Sequence, residues 1–221
     1  MTLGTVVLAT ANRGKVAELQ RILADTVELV GIDGSYEPGP ETGATFAANA
    51  LAKAREAVRH TGLAAVADDS GLAVDALCGM PGVLSARWAG RHAVGSPPDR
   101  DRANLELLLD QLADVPDERR GAAFVCAAAY ALPDGRSAVV LDELRGTVAR
   151  APRGTSGFGY DPVLVPAGMS VTTAELAPAD KDAISHRGKA FRQLSPLLLA
   201  ALALPTAPAT GSTAPPPRPS K

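Results

Sequence analysis

Thr5-Val6-Val7-Leu8-Ala9-Thr10-Ala11-Asn12-Arg13-Gly14-Lys15 decides the fold class. The β-branched run at 5–9 reads as a buried strand that breaks at Thr10, and from Lys15 the apolar residues Val16, Leu19, Ile22 and Leu23 recur at helical spacing. Residues 27–32 then read as a second strand, so the chain opens strand, loop, helix, strand, as an α/β protein does. Working outward, 34–43 is a loop, and 45–60 is a long helix closed by Gly62 with Phe46, Ala50, Ala54 and Ala57 on its apolar face. A short strand at 63–67 runs into Asp68-Asp69-Ser70-Gly71, which has the composition of a polar turn and places two acids at a strand end. Residues 99–112 form a helix with Leu105, Leu108, Leu109 and Leu112 along one side. Pro133-Asp134-Gly135-Arg136 joins strands at 124–132 and 137–144 as a hairpin, so antiparallel pairing is expected too. A glycine-rich loop at 154–161, a strand at 163–165 and a helical stretch at 181–204, which Pro196 kinks or breaks, complete one domain over 1–204. Residues 205–221, rich in Pro, Ala, Thr and Ser, read as a disordered tail.

Composition narrows the function classes. With 22 basic against 24 acidic residues in 221, there is no general positive field for gripping a nucleic acid. The two cysteines, Cys78 and Cys126, lack CxxC spacing and imply neither a disulfide framework nor a zinc site. The apolar run at 6–9 is too short for a signal peptide, and that at 197–204 falls far short of the ~20 residues a bilayer span needs, so the expectation is a cytoplasmic protein without a membrane segment.

The chemistry-bearing residues fall in separate segments. Thr10 to Lys15 lies between a strand and a helix, where free amides and the helix dipole favour an anion; a capped helix with a solvated lysine is the plainer alternative. Glu41 and the Asp68-Asp69 pair offer one carboxylate from each of two loops, enough for Mg²⁺, which keeps several waters and prefers oxygen ligands. Adjacent strand residues point to opposite faces, so Asp68 and Asp69 are expected to play different roles. Lys53 shares a helix face with Asn49, and the pair either turns Lys53 toward phosphates held near Glu41 or is a plain surface amide and lysine. Glycines flank Phe158 in Ser156-Gly157-Phe158-Gly159-Tyr160-Asp161, so its ring either stacks on a base or tucks with Tyr160 into the core. Ser185, His186 and Arg187 are consecutive and meet one ligand only at the first turn of a helix; a solvated basic helix face is the plainer alternative. Lys15, Lys53, Lys181 and Arg187 together suggest a locally positive site within an acidic protein.

Taken in order, these motifs resemble the inosine triphosphate pyrophosphatases, enzymes that act on non-canonical purine nucleoside triphosphates. The resemblance rests on Leu8-Ala9-Thr10-x-Asn12-x-Gly14-Lys15-x-x-Glu18, Glu41-Thr42-Gly43-x-Thr45-Phe46-x-x-Asn49, Ala67-Asp68-Asp69-Ser70-Gly71-Leu72, Pro81-Gly82-Val83-x-Ser85-Ala86-Arg87, Gly157-Phe158-Gly159-Tyr160-Asp161-Pro162 and Ser185-His186-Arg187-Gly188. It implies a mixed α/β fold with a long curved sheet, two lobes around a central cleft, and a homodimer. The implied reaction is Mg²⁺-dependent hydrolysis of dITP, ITP or XTP to the monophosphate and pyrophosphate. By motif position, Thr10, Ala11, Asn12, Arg13, Gly14, Lys15 and Lys53 would hold phosphates. Glu41 and Asp69 would serve the metal, with Asp69 also the proton acceptor. Ser70 would contact substrate, Phe158 would stack on the base, and Gly159, Tyr160, Asp161, Lys181, Ser185, His186 and Arg187 would complete base and phosphate recognition.

Overall fold

The structure, a computed structural model, describes residues 5–10, 12–23, 27–31, 39–92 and 94–204. The tail at 205–221 and Ala11 lie outside the described residues. A six-stranded mixed sheet has the order β2-β1-β3-β4-β5-β6, from β1 (Thr5–Leu8), β2 (Glu28–Gly31), β3 (Ala65–Val74), β4 (Gly121–Ala131), β5 (Ser137–Val148) and β6 (Leu164–Pro166). β1 pairs parallel with β2 and β3, and the remaining neighbours pair antiparallel. The helices are α1 (Arg13–Leu23), α2 (Phe46–Thr61), α3 (Pro97–Gln111), α4 (Pro178–Ile184) and α5 (His186–Ala203).

Period-two alternation divides the core. Val6, Leu8, Val66, Cys126, Ala128 and Tyr130 pack with α1 and α5, while Val7, Ala9, Ala65, Ala67, Ala127, Ala129 and Ala131 pack with α2. The second face is built from alanines on both partners, Ala50, Ala54 and Ala57 being fully buried, so α2 lies close to the sheet. Thr45 caps α2, its Oγ1 accepting from Ala48 N, and Gly62 ends it in the left-handed conformation at φ 71°. A third cluster gathers Leu72, Val74, Phe124 and Leu144 with Leu105 and Leu108 of α3 and Leu112 just after it. The long strands β3, β4 and β5 thus run through apolar packing at both ends, and the polar middle of β3 lies between the two packed regions.

That middle segment corrects one reading. Asp68-Asp69-Ser70-Gly71 is continuous strand in register with Ala128, Ala127, Cys126 and Val125 of β4, not a turn at a strand end. The ladder to β4 supplies its backbone partners, and cations from neighbouring elements meet its carboxylates, so turn-like composition is overridden by tertiary pairing. Gly71 is required here by close approach: a Cβ would collide with Ser85 Oγ and the Gly82 carbonyl. Ser85 Oγ accepts from Leu72 N at 2.9 Å and donates to Gly82 O at 2.7 Å, fastening the 82–87 helical turn to β3. Replacing Gly71 by Ala is expected to cost about 1–3 kcal/mol through this clash, read as a shifted denaturant midpoint at unchanged m.

The stretch expected to be kinked or broken at Pro196 is two helices that meet at Ser185. The helical stretch breaks at Ser185, which ends α4 and caps α5, its Oγ accepting from Gly188 N at 2.9 Å, while Pro196 lies inside an unbroken α5. The capping hydroxyl supplies a helix start that propensity at Pro196 cannot undo, because α5 is pinned along its length by buried Phe191, Leu194, Leu198 and Ala201. No described helix is long and apolar enough to cross a membrane.

Candidate active site

A cleft of about 270 Å³ opens beside the middle of β3, the scale of a small-molecule pocket. Thr10, Asn12, Lys15, Glu41, Lys53, Asp69 and Ser70 line it together with Phe158, Gly159, Tyr160, Asp161, Lys181, His186 and Arg187. Segments separated by most of the chain therefore converge. Ser185 is fully buried and spends its hydroxyl on the cap, so it supports the cleft without lining it. Arg13 opens α1, but its side chain lies outside the described residues.

The first loop combines capping with charge. Asn12 Oδ1 accepts from Gly14 N at 2.9 Å and Lys15 N at 3.2 Å, closing the start of α1. Lys15 is not solvated: its ammonium lies 2.9 Å from Asp68 Oδ2 and its side chain is 14% exposed.

Alternation along β3 sends the two aspartates to different partners. Asp68 faces α1 and α5, paired with Lys15 and with Arg187 Nε at 3.2 Å, and accepts from Ser70 Oγ at 3.0 Å. Burial opposes its ionisation, but Lys15 and Arg187 overcome this and hold the carboxyl well below the usual range. Asp69 faces α2, accepting from Asn49 Nδ2 at 2.9 Å, with Lys53 Nζ 3.4 Å from its other oxygen. Burial, with Glu41 nearby, pushes the Asp69 carboxyl above the usual range despite Lys53 and Asn49. Burial also opposes ionisation of Glu41, but the Lys53 ammonium at 2.7 Å holds it below the usual range.

Arg187 ties the start of α5 to β3 and α1. Only 2% exposed, it contacts Asp68 through Nε, Glu18 through Nη1 and Ser70 Oγ through Nη2 at 2.7 Å. The two aromatics of the glycine-rich loop separate. Tyr160 is buried with its hydroxyl donating to Ser85 O at 3.0 Å, whereas Phe158 is half-buried on the cleft wall beneath Lys181 Nζ and Arg187 Cζ, 5.2 and 5.6 Å from its centroid. Asp161 ties this loop down, accepting from Phe158 N at 2.8 Å and pairing with Lys181 at 2.7 Å. His186 stacks on Phe124 at 4.9 Å; burial, then Arg187 and Lys181, push its pKa well below the ordinary value, so the ring is neutral. Its Nδ1 is buried without a hydrogen-bond partner among the described residues.

The expected positive field is not what the folded protein presents. Each of Lys15, Lys53, Lys181 and Arg187 rests on a carboxylate, because a cation so little exposed needs a counter-charge. The sequence reading also missed Asp101 and Asn104 of α3. Asp101 Oδ2 accepts from Gly159 N at 2.8 Å, and Asn104 holds Ala89 N and Ala86 O. It passed over Arg87 as well, which clamps Glu41 through Oε2 and the main-chain carbonyl.

The profile of the Ham1 family matches residues 6–197, nearly all of the described fold. The chain belongs to the Ham1 family. It is 58% identical over 206 residues to the dITP/XTP pyrophosphatase of Nocardia farcinica, covering 90% of this chain and 97% of that one. It is 58% identical over 199 residues to the protein of the same name from Streptomyces avermitilis, covering 87% and 96%. The crystal structure of a nucleoside-triphosphatase / dITP/XTP pyrophosphatase from Mycobacterium abscessus superposes with TM-score 0.69 at 56% identity, covering 88% of this chain and 99% of that one. The Staphylococcus aureus Ham1 protein does so with TM-score 0.77 at 35% identity, covering 89% and 99%. The mixed sheet and flanking helices expected from the motifs are those of a Ham1 fold.

Proposed function

We propose that this Ham1 family chain hydrolyses non-canonical purine nucleoside triphosphates, dITP, ITP and XTP, to the monophosphate and pyrophosphate, working as a cytoplasmic homodimer with Mg²⁺. The observation that carries the reading is the placement of Asp69. Its carboxyl faces a cleft that Lys15, Lys53 and the half-buried aromatic ring of Phe158 also line. The relatives' names and the aligned motifs support the substrate class.

The donor set fits a hard divalent cation. Glu41 and Asp69 aim carboxylate oxygens at one ammonium, and Asp101 and Asp161 also line the cleft, so acids fully match its cations. A triphosphate entering that balance needs added positive charge. Glu41 and Asp69 would hold Mg²⁺, which would neutralise charge building on the phosphates. The chain's own residues do the rest. The ammoniums of Lys15, Lys53 and Lys181 bind phosphate oxygens. Phe158 stacks on the base, and His186 lines the same cleft. Asp69 orients a water and takes its proton as the oxygen attacks the α-phosphorus, breaking the α–β anhydride so that pyrophosphate leaves. A carboxyl raised by burial is a better proton acceptor than an ordinary one.

Selectivity follows from hydrogen-bond pattern. Hypoxanthine and xanthine present a 6-oxo acceptor and an N1–H donor, adenine the reverse, and a buried pocket left with unpaired groups rejects the mismatch by ~10⁴ or more. Hydrolysis of dITP in ¹⁸O-water tests the route: attack at the α-phosphorus places the label in dIMP, whereas label in pyrophosphate or release of orthophosphate contradicts it.

A further inference from the structure

Lys53 sits where a phosphate ligand need not sit. Its ammonium is 2.7 Å from Glu41 Oε1 and 3.4 Å from Asp69 Oδ1, so one cation bridges two carboxylates that arrive from different elements. Each carboxylate is fixed through its other oxygen. Glu41 Oε2 accepts from Arg87 Nη1 at 3.2 Å and the Glu41 carbonyl from Arg87 Nη2 at 3.0 Å, while Asp69 Oδ2 accepts from Asn49 Nδ2 at 2.9 Å. Arg87 and Asn49 therefore hold the acids in place, and the oxygens turned to Lys53 are the pair a divalent cation would use.

We propose that Lys53 is an exchangeable counter-ion. Its ammonium and a divalent cation compete for Glu41 Oε1 and Asp69 Oδ1, and arrival of the divalent ion moves the ammonium off them toward the phosphate-binding side of the cleft. The inference rests on the reading that Glu41 and Asp69 hold the metal. Lysine suits the task because its charge is a point on a flexible stem, whereas the planar Arg87 fork is fixed by two contacts to one residue. Exchange makes Lys53 a positioning residue that links metal and phosphate binding: phosphate that draws the ammonium away frees both oxygens, and by linkage the metal helps phosphate equally.

The test uses Mn²⁺ alone as probe, with the full chain and no nucleotide. Binding read by electron paramagnetic resonance of the free ion is expected to be at least about tenfold tighter in Lys53→Met than in wild type, since a competing charge has gone. Glu41→Gln should weaken it, placing the ion. A measurement on wild type alone guards against misfolding of the variant. Acetylation of Lys53 by acetic anhydride, followed by peptide mass spectrometry, should accelerate several-fold when Mn²⁺ is added. Mn²⁺ binding unchanged or weakened in Lys53→Met, or Lys53 labelling that ignores Mn²⁺, overturns the exchange. If that happens while wild type still releases pyrophosphate from dITP, the exchange alone has failed and the proposed function stands. Exchange observed in a protein that turns over no nucleotide triphosphate removes the function instead.

Discussion

Asp69→Asn lowers the rate of pyrophosphate release by ~10³ or more while nucleotide still binds, on the scale of general-base removal and loss of a metal carboxylate together. The substitution is nearly isosteric. Asn49 Nδ2 keeps an acceptor in the new amide oxygen, and Lys53 keeps Glu41 at 2.7 Å, so the fold has no reason to loosen. What disappears is the proton acceptor. The pH profile gives a second handle. Burial and Glu41 raise the Asp69 carboxyl, so the base is lost as pH falls through a value above the ordinary carboxylate range near ~4. Wild-type activity is therefore expected to decline on the acid side at a pH above ~4, and residual turnover in Asp69→Asn to lack that limb. Activity within a few-fold of wild type in the variant, measured with the same dITP affinity, removes Asp69 from the role of base.

The largest effect on stability is expected at Arg187. Replacing it by Leu strips Glu18 of its cation and leaves buried Asp68 with Lys15 alone, in a place where water cannot compensate. Breaking a buried pair by removing one partner costs about 3–5 kcal/mol, so thermal unfolding should shift downward on the order of 10 °C. The sign of its pH dependence is fixed by Asp68. Its folded-state carboxyl is depressed, burial opposing and Lys15 with Arg187 prevailing, so this stabilisation is complete above the unfolded value of ~4 and fades as pH falls below it. The deficit of Arg187→Leu is thus greatest near neutrality and narrows in acid. Lysine at the same position restores the charge but not the three-way fork to Asp68, Glu18 and Ser70, so Arg187→Lys should recover only part of the loss. A melting temperature for Arg187→Leu within two or three degrees of wild type contradicts this account of the buried network.

The elements that could be read from sequence are those whose local signals agree with their tertiary setting. The strand, loop and helix from Thr5 to Leu23 carried β-branched and helical periodicities in turn, and α2 carried both its caps in Thr45 and Gly62. Local rules failed where a distant partner decides. Asp68-Asp69-Ser70-Gly71 has turn composition, yet the β4 ladder and the cations of α1, α2 and α5 keep it extended. Pro196 signals a break, yet a serine cap eleven residues earlier sets the boundary. The site divides in the same way. Period-two alternation foretold that Asp68 and Asp69 would differ, and the structure gives one to α1 and α5 and the other to α2. Asp101 went unseen because Asp99-Arg100-Asp101-Arg102 reads as a solvated charged face; only the fold brings its carboxyl against Gly159 N. Arg87 was hidden because its partner, Glu41, lies 46 residues away. The positive field inferred from four cations failed because sequence does not show that each must be matched when buried.

Pyrophosphate release by the purified full chain with Mg²⁺, comparing dITP, XTP, dATP and dGTP at equal concentration, tests the central claim most directly. The account predicts rapid release from dITP and XTP and a rate from dATP lower by ~10⁴ or more, the adenine edge leaving buried groups unpaired. Comparable release from dATP and dITP, or nucleotide binding without release from any of the four, contradicts it.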